Sequence, residues 1–496
     1  MKRIISNLTI LAAAVAMSAS CMDFLTEKPV TFVSPDDYYT TDAEIEQATL
    51  GCYTSVRPAL FENYGLPGCE PYFLYERLTG NVESSHGIGA NIGLPISDNN
   101  ADTDIMWQNY YAAIENCNGT IQGIEGSTAS LTEDVKNRDL AEAYFLRAYY
   151  YFNLVRFFGP IPYKTEPTTG VDDAAMPCTA ESEVYAGIVE DLKKAESLFP
   201  EGSSLAVTNG RAGLGATKAL LAKVYLTMAG YPLQQTSNYK LAYDKAAEVV
   251  SSGAFSLFST HDEWRKSMNS GTKGENIFSV QNDATNATSW IHRSLLPYPA
   301  TDPEIATGQE YGGHMMPTMT FYNSFADNDE RKTAYFYTSY ASSADASVTV
   351  EFDRPYIFKF FDESAISNGK SGCKFPLIRY ADVLLTLAEA ACEGGSTTDA
   401  AALAAYNAVR GRAISGSDVK SISANDVLVE RFYEFCFEDQ NWYDMVRTRK
   451  AFNPASKSMV DMLGYQAETC PGPYDESYLY APYPARDYAL NPNLKR

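Results

Sequence analysis

The chain has 496 residues, enough for a large core and for up to about three domains at roughly 150 residues each. A formal charge of −23, without Lys/Arg-rich runs, argues against nucleic-acid binding, which needs basic surface to displace phosphate counterions. Thirty-five tyrosines stand beside four histidines, so contact surface is plentiful and acid–base or metal chemistry sparse.

Residues 1–20 read as a secretory signal: Lys2 and Arg3, then the apolar "IISNLTILAAAVAMSAS", ending in small residues. Cys21 follows Ser18-Ala19-Ser20, an arrangement similar to the bacterial lipoprotein box, with Ser18 where leucine is usual. Cys21 is therefore the expected lipidation site, anchoring the chain to a membrane without spanning it. Eight cysteines follow: Cys52, Cys69, Cys117, Cys178, Cys373, Cys392, Cys436 and Cys470. They form no C-x-x-C, so no zinc site is expected. Several sit in apolar helical patterns as small hydrophobes, and pairing in an oxidising compartment stays open.

Helical signals then dominate. "TDAEIEQATLGCYTSVRPAL" offers Thr41 and Asp42 as caps, with Ile45, Ala48 and Cys52 at helical spacing. "DTDIMWQNYYAAIENCNGTIQGI" carries a broad apolar stripe from Ile105 to Cys117. "AEAYFLRAYYYFNLVRFFGPIPY", from Ala141 to Tyr163, holds five tyrosines and four phenylalanines. On a helix, Ala141, Phe145, Ala148, Phe152 and Val155 share one face, with Tyr144, Tyr151, Leu154 and Phe158 beside them. A helix apolar nearly all round is a buried helix, so these rings are core, not a stacking platform. Arg147 and Arg156 are expected to pair with acids or carbonyls, and Gly159-Pro160 ends the helix. Further helices follow to about 252. A stretch without clear periodicity covers roughly 255–375, and helices resume from "LIRYADVLLTLAEAACEGG" to about 450. Small residues in "ATKALLAKVYLTMAG" and "YKLAYDKAAEVV" have the rhythm of tetratricopeptide-like helical pairs.

No catalytic set emerges. His86, His261, His292 and His314 are scattered, with no H-E-x-x-H and no G-x-S-x-G. "GKS" at Gly369–Ser371 lacks the earlier glycine of a phosphate loop, since Ser364 stands there. No local signature selects a glycosidase pair of carboxylates. The chain is read as a non-enzyme with no cofactor and no metal. "SDNNADTD" lacks the glycine and terminal glutamate of a calcium loop, so structural calcium is allowed but not predicted.

The aromatic helix also resembles the strongest motif of the SusD/RagB family of Bacteroidetes nutrient-binding lipoproteins. The resemblance continues in order through "CMDFLTEKP", "YYTTDAEIEQATLGCY", "WQNYYAAIENCN", "GENIFSVQN", "FADNDERK", "FPLIRYADVLLTLAEA", "ERFYEFCFEDQNWYDMVR" and "APYPARDYALNPNLKR". Cys436 and Asp439 depart from it, standing where the family more often has alanine and glycine. The resemblance implies a mainly α, SusD-like fold. Tetratricopeptide-like pairs (about 41–252 and 376–450) would scaffold a loop-rich binding insert (about 255–375), followed by an extended tail over 451–496. All of this belongs to one domain over 21–496. It also implies a surface-exposed outer-membrane lipoprotein that delivers oligosaccharides to a SusC-like TonB-dependent transporter. Peptide capture, or a scaffold role without ligand, are the alternatives.

Sugar rings present an apolar C–H face and a hydroxyl rim, so a binding site needs aromatic rings exposed on loops with polar neighbours. Trp107 and Trp442 lie in helical motifs and are read as structural, whereas Trp264, in "HDEWRKS", is left undecided with the structural role favoured. Two irregular stretches remain. One carries Tyr64, Tyr72, Tyr75 and His86. The other carries Trp290, His292, Arg293, Tyr298 and Tyr311, with Asn286 nearby. In the family, ligand contacts come from variable segments at these places. Candidate ligand-binding residues are therefore Trp290, Tyr298, Tyr311, Tyr72, Tyr75, Arg293 and His292. Asn99, Asp102 and Asp104 are read as turn formers.

Overall fold

The computed structural model describes residues 38–61, 71–85, 94–127, 130–170, 175–207, 209–270, 274–298, 305 and 312–494. Cys21, Tyr64, Cys69, His86 and Tyr311 lie outside the described residues.

Helices begin where a short polar side chain can take up an orphan backbone N–H. At α1 (Asp42–Cys52), Thr41 Oγ1 accepts from the Glu44 amide, and the Glu44 carboxylate accepts from the Thr41 amide. The chain continues through α2 (Pro71–Leu78) and the short β1 (Val82–Glu83). Asn100 caps α3 (Ala101–Gly126) by accepting from the Thr103 amide. In α4 (Glu133–Phe158), every residue from Asp139 to Phe158 except Arg156 is buried, as the two-stripe pattern predicts.

Arg147 and Arg156 of α4 have the partners expected of them. Arg147 grips Asp191 with Nε and Nη2 at 2.8 and 2.7 Å, and its Nη1 donates to Asn118 and to the Thr165 carbonyl. Arg156 donates to the Phe152 carbonyl and lies between the Phe152 and Tyr443 rings, 3.9 and 3.7 Å from their centroids. Gly159, at φ 75°, ends the helix.

α4 packs against α3 and α5 (Glu181–Leu198). α5 in turn meets α6 (Leu214–Ala229), and α6 meets α7 (Asn238–Ser251). The chain then makes an excursion where the sequence shows no period. It holds α8 (His261–Ser270), β2 (Asn276–Val280), the one-turn α9 (Ile291–Ser294), β3 (Met316–Pro317), β4 (Phe336–Ala341), β5 (Thr349–Ile357) and β6 (Phe375–Arg379). These strands pair two by two, antiparallel: β1 with β3, β2 with β6, and β4 with β5. α10 (Tyr380–Glu393) then returns to pack on α7, and α11 (Ala400–Ala413) and α12 (Ala424–Glu434) pack on α10. The helical array thus closes over the excursion. α13 (Asn441–Thr448), the hairpin β7 (Lys450–Asn453) and β8 (Ser458–Asp461), and α14 (Ala485–Leu490) complete the chain. Among the described residues no helix is long and apolar enough to cross a membrane.

A layer of buried charge fastens the excursion to the helices. Glu430, Glu434 and Glu438 recur every four residues from α12 into the following turn, and all three are buried. Arg331 Nη1 donates to Glu430 at 2.7 Å, and Arg412 Nη2 to Glu434 at 2.7 Å. Arg379, at the end of β6, reaches Glu275, Glu434 and Glu438 at 2.5, 3.1 and 2.6 Å. Burial works against the charge of Glu434, but Arg412, His261 and Arg379 overcome it and hold this carboxyl well below its ordinary range. Arg331 belongs to "FADNDERK", and the three glutamates belong to "ERFYEFCFEDQNWYDMVR".

Gly230 sets a close approach between the end of α6 and the end of α13. A Cβ there would stand 2.5 Å from the Arg447 carbonyl oxygen, which already accepts from the Tyr231 amide at 2.7 Å. Gly230→Ala is expected to cost about 1–3 kcal/mol through this overpacking. Urea unfolding should show a lower midpoint at unchanged m-value.

Candidate functional site

The β1–β3 pair brings the two irregular stretches together. Val82 lies opposite Pro317, and the Ser85 amide donates to the Gly313 carbonyl at 2.9 Å. Gly313 has φ +63° and a Cβ there would stand 2.1 Å from Ser85 Oγ and 3.0 Å from Tyr298 Cβ, so glycine is what allows this crossing.

Within the second stretch, the turn before Trp290 is built by Asp283, whose carboxylate accepts from the Thr285 and Asn286 amides at 2.8 Å. The Ser289 amide then donates to the Ser371 carbonyl, and α9 begins. Trp290 is 36% exposed and Tyr298 46%, whereas Trp107, Trp264 and Trp442 are at most 4% exposed. The structural reading of Trp107 and Trp442 holds, and Trp264, left undecided, is core too, its Nε1 donating to Asn276. The half-buried Arg293 sets its guanidinium 5.3 Å from the Trp290 ring centroid. The site therefore offers an indole, a phenol and a forked donor on one short segment, a set suited to an apolar ring face with a hydroxyl rim.

Three candidates prove to be core. Tyr72 is fully buried and donates its hydroxyl to the Phe437 carbonyl at 3.0 Å. Tyr75, 2% exposed, packs on Phe157 and Tyr443. Both sit on α2, whose eight residues are all buried, so neither ring can stack on a ligand. His292 is also buried: its Nδ1 accepts from the Asp362 amide at 2.9 Å and its ring meets Phe361 edge to face at 5.1 Å. Burial pushes its pKa down to about 4 despite the nearby Asp362, so it is a neutral anchor beneath Trp290. The polar residues near 100 are helix starters: Asn100 caps α3, Asp102 is buried in its first turn, and Asp104 follows. Burial raises the Asp102 carboxyl to about 6, with Arg77 working against the rise. Among the described residues no group of His, Cys, Asp and Glu converges to hold a metal.

A small aromatic cluster backs the site and went unnoticed in the sequence. Tyr337, Tyr356 and Phe361 are buried with Leu296, Ile305 and Met316, and Tyr340, Phe352 and Phe358 pack against them. Leu296 ties it to the segment carrying Trp290 and Tyr298. Most of its rings stand in "FYTSYA" and "VEFDRPYIF", the strands β4 and β5 with the residue after β5.

Fold and site together define a mainly α protein of paired helices whose irregular excursion displays exposed rings. The family model described as the SusD family matches residues 349–496, and a second, described as starch-binding associating with outer membrane, matches residues 80–226. A SusD-like protein of Bacteroides ovatus is 27% identical over 464 residues, covering 89% of this chain and 82% of its own length. The crystal structure of a SusD superfamily protein from Parabacteroides distasonis superposes with a TM-score of 0.83 at 30% identity, covering 91% of this chain and 98% of that one. A laminarin-binding SusD-like protein shares the fold at a TM-score of 0.71 and 22% identity, covering 91% of this chain and 98% of its own. The chain belongs to the SusD/RagB family.

Proposed function

We propose that this protein captures oligosaccharides at the surface carrying Trp290, Arg293 and Tyr298, without cleaving them, and passes them to a SusC-like TonB-dependent transporter. Tyr311, outside the described residues, is the third candidate ring. A lipid on Cys21 would hold the protein at the outer membrane, in keeping with the description of the model matching residues 80–226. The observation that carries the binding reading is the contrast among tryptophans: three are sealed in the core, and the fourth is exposed on a polar loop beside a guanidinium. A laminarin-binding relative of the same fold supports a glycan as the ligand class.

Calorimetric titration with laminarin oligosaccharides, alongside a panel of other glycans, tests the reading. The native chain is expected to bind one glycan class, and Trp290→Ala to bind it at least about tenfold more weakly, a loss of about 1.4 kcal/mol or more. Undiminished binding by the variant would move the site. Binding of peptides and no glycan would replace the ligand class.

A further inference from the structure

We infer that Cys52 and Cys117 form a disulfide that staples α1 to α3 when the chain folds in an oxidising compartment. Cys52 is the last residue of α1, and its Sγ lies 3.4 Å from Thr120 Oγ1 on α3. Cys117 stands three residues before Thr120, hence on the same face of that helix. Both cysteines are fully buried in the interface between the helices. Around them the packing is fixed: the Tyr150 hydroxyl donates to the Cys52 carbonyl at 2.6 Å, and Thr120 Oγ1 donates to the Ala48 carbonyl at 3.4 Å.

In the folded chain Cys117 lowers the pKa of Cys52, while burial, and after it Cys52, raise Cys117 well above the ordinary thiol. Before α1 docks on α3 those effects are absent, so either thiol can attack first and the other resolves. The oxidant is a disulfide donor, protein or small molecule. With Cys52 first, its thiolate attacks one donor sulfur and expels the other as a thiolate, giving a mixed disulfide. The Cys117 thiolate then attacks the Cys52 sulfur and releases the second donor thiol. The two cysteines lose two electrons and two protons, and the donor disulfide becomes a dithiol. Because both sulfurs are sealed in the folded protein, exchange belongs to the stage before α1 docks on α3.

The test is oxidative refolding of the mature chain from denaturant in a glutathione redox buffer, then alkylation and peptide mapping without reduction. The expected result is a peptide pair joining Cys52 to Cys117, with two fewer alkylated thiols than in reduced protein. The oxidised form should also melt roughly 2–5 °C higher than the reduced form. Cys52→Ser and Cys117→Ala should each abolish both the link and the increment, while Cys470→Ser keeps them. Full alkylation of Cys52 and Cys117 in refolded native monomer would overturn the inference, as would a link from either one to any other cysteine.

Discussion

Arg379→Met is expected to cost about 3–5 kcal/mol, because it strips the cation from buried carboxylates that cannot be resolvated. Against a total stability of about 5–15 kcal/mol, such a loss leaves the fold marginal. Arg379 faces three carboxylates, Glu275, Glu434 and Glu438, and its guanidinium also lies 4.2 Å from the Trp264 ring centroid. Methionine keeps the volume and the ring contact and removes the charge. Arg412 still reaches Glu275 and Glu434, and Lys359 still reaches Glu438, so each acid keeps one partner. The net count turns against the cluster, however, and one acid must take a proton or open the site to water. The exposed pair Lys240–Asp244 on α7 supplies the control: Lys240→Met there should cost less than about 0.5 kcal/mol. Urea unfolding of both variants decides the matter. A change within about 1 kcal/mol for Arg379→Met would mean that Arg412 and Lys359 suffice, and that desolvation of the cluster is smaller than burial implies.

This cluster also shows what the sequence could and could not yield. The aromatic helix α4 was legible because twenty consecutive residues repeat one pattern, and its terminal glycine agrees with it. The cap at Thr41 was legible for the same reason: its partner Glu44 is three residues away. The ion pairs are not local. Glu275 and Arg379 are separated by 104 residues, and Arg331 and Glu430 by 99, so only the fold reveals their pairing. The misplacement of Tyr72 and Tyr75 has a different cause. "PYFLYERL" is short, and α2 is buried on every side, Glu76 and Arg77 included, so no amphipathic contrast marks it as a helix. His292 was grouped with Trp290 because the two are neighbours in sequence. At the start of a one-turn helix, residues two apart point in different directions, and one faces solvent while the other faces Asp362. The exposed rings of Trp290 and Tyr298, by contrast, follow from loop composition, which the sequence does display.

Asp439→Gly is expected to stabilise the protein by about 1–2 kcal/mol, the opposite of the usual effect of removing buried atoms. The position has φ +57°, a left-handed conformation that glycine adopts without strain, and it is where the family resemblance anticipates glycine. The Asp439 carboxylate is buried with neither oxygen hydrogen-bonded, beside a cavity of about 30 Å³ that Tyr75, Arg156, Lys223 and Tyr443 also line. Burial, and after it the charges of Glu76 and Glu438, raise its pKa well above the ordinary carboxyl. Glu76 accepts from the Asp439 amide at 2.8 Å, yet burial still lifts it to about 7. Both acids therefore hold protons in the folded chain at pH values where the unfolded chain has released them. Their contribution is complete below the unfolded values near 4 and is lost as pH rises through the folded ones, at up to about 1.4 kcal/mol per pH unit per group. The native protein should accordingly lose stability as pH rises from about 4 through about 7, the folded value of Glu76, with Asp439 adding to the loss. Asp439→Gly removes one of the two titrating groups, so it should flatten that slope as well as raise the midpoint. Urea midpoints at a series of pH values read both effects at once. If the variant is destabilised at every pH, the lost packing of the Asp439 side chain outweighs its strain and burial. If it is stabilised with an unchanged slope, relief of the left-handed backbone is the whole effect, and the proton on Asp439 contributes nothing.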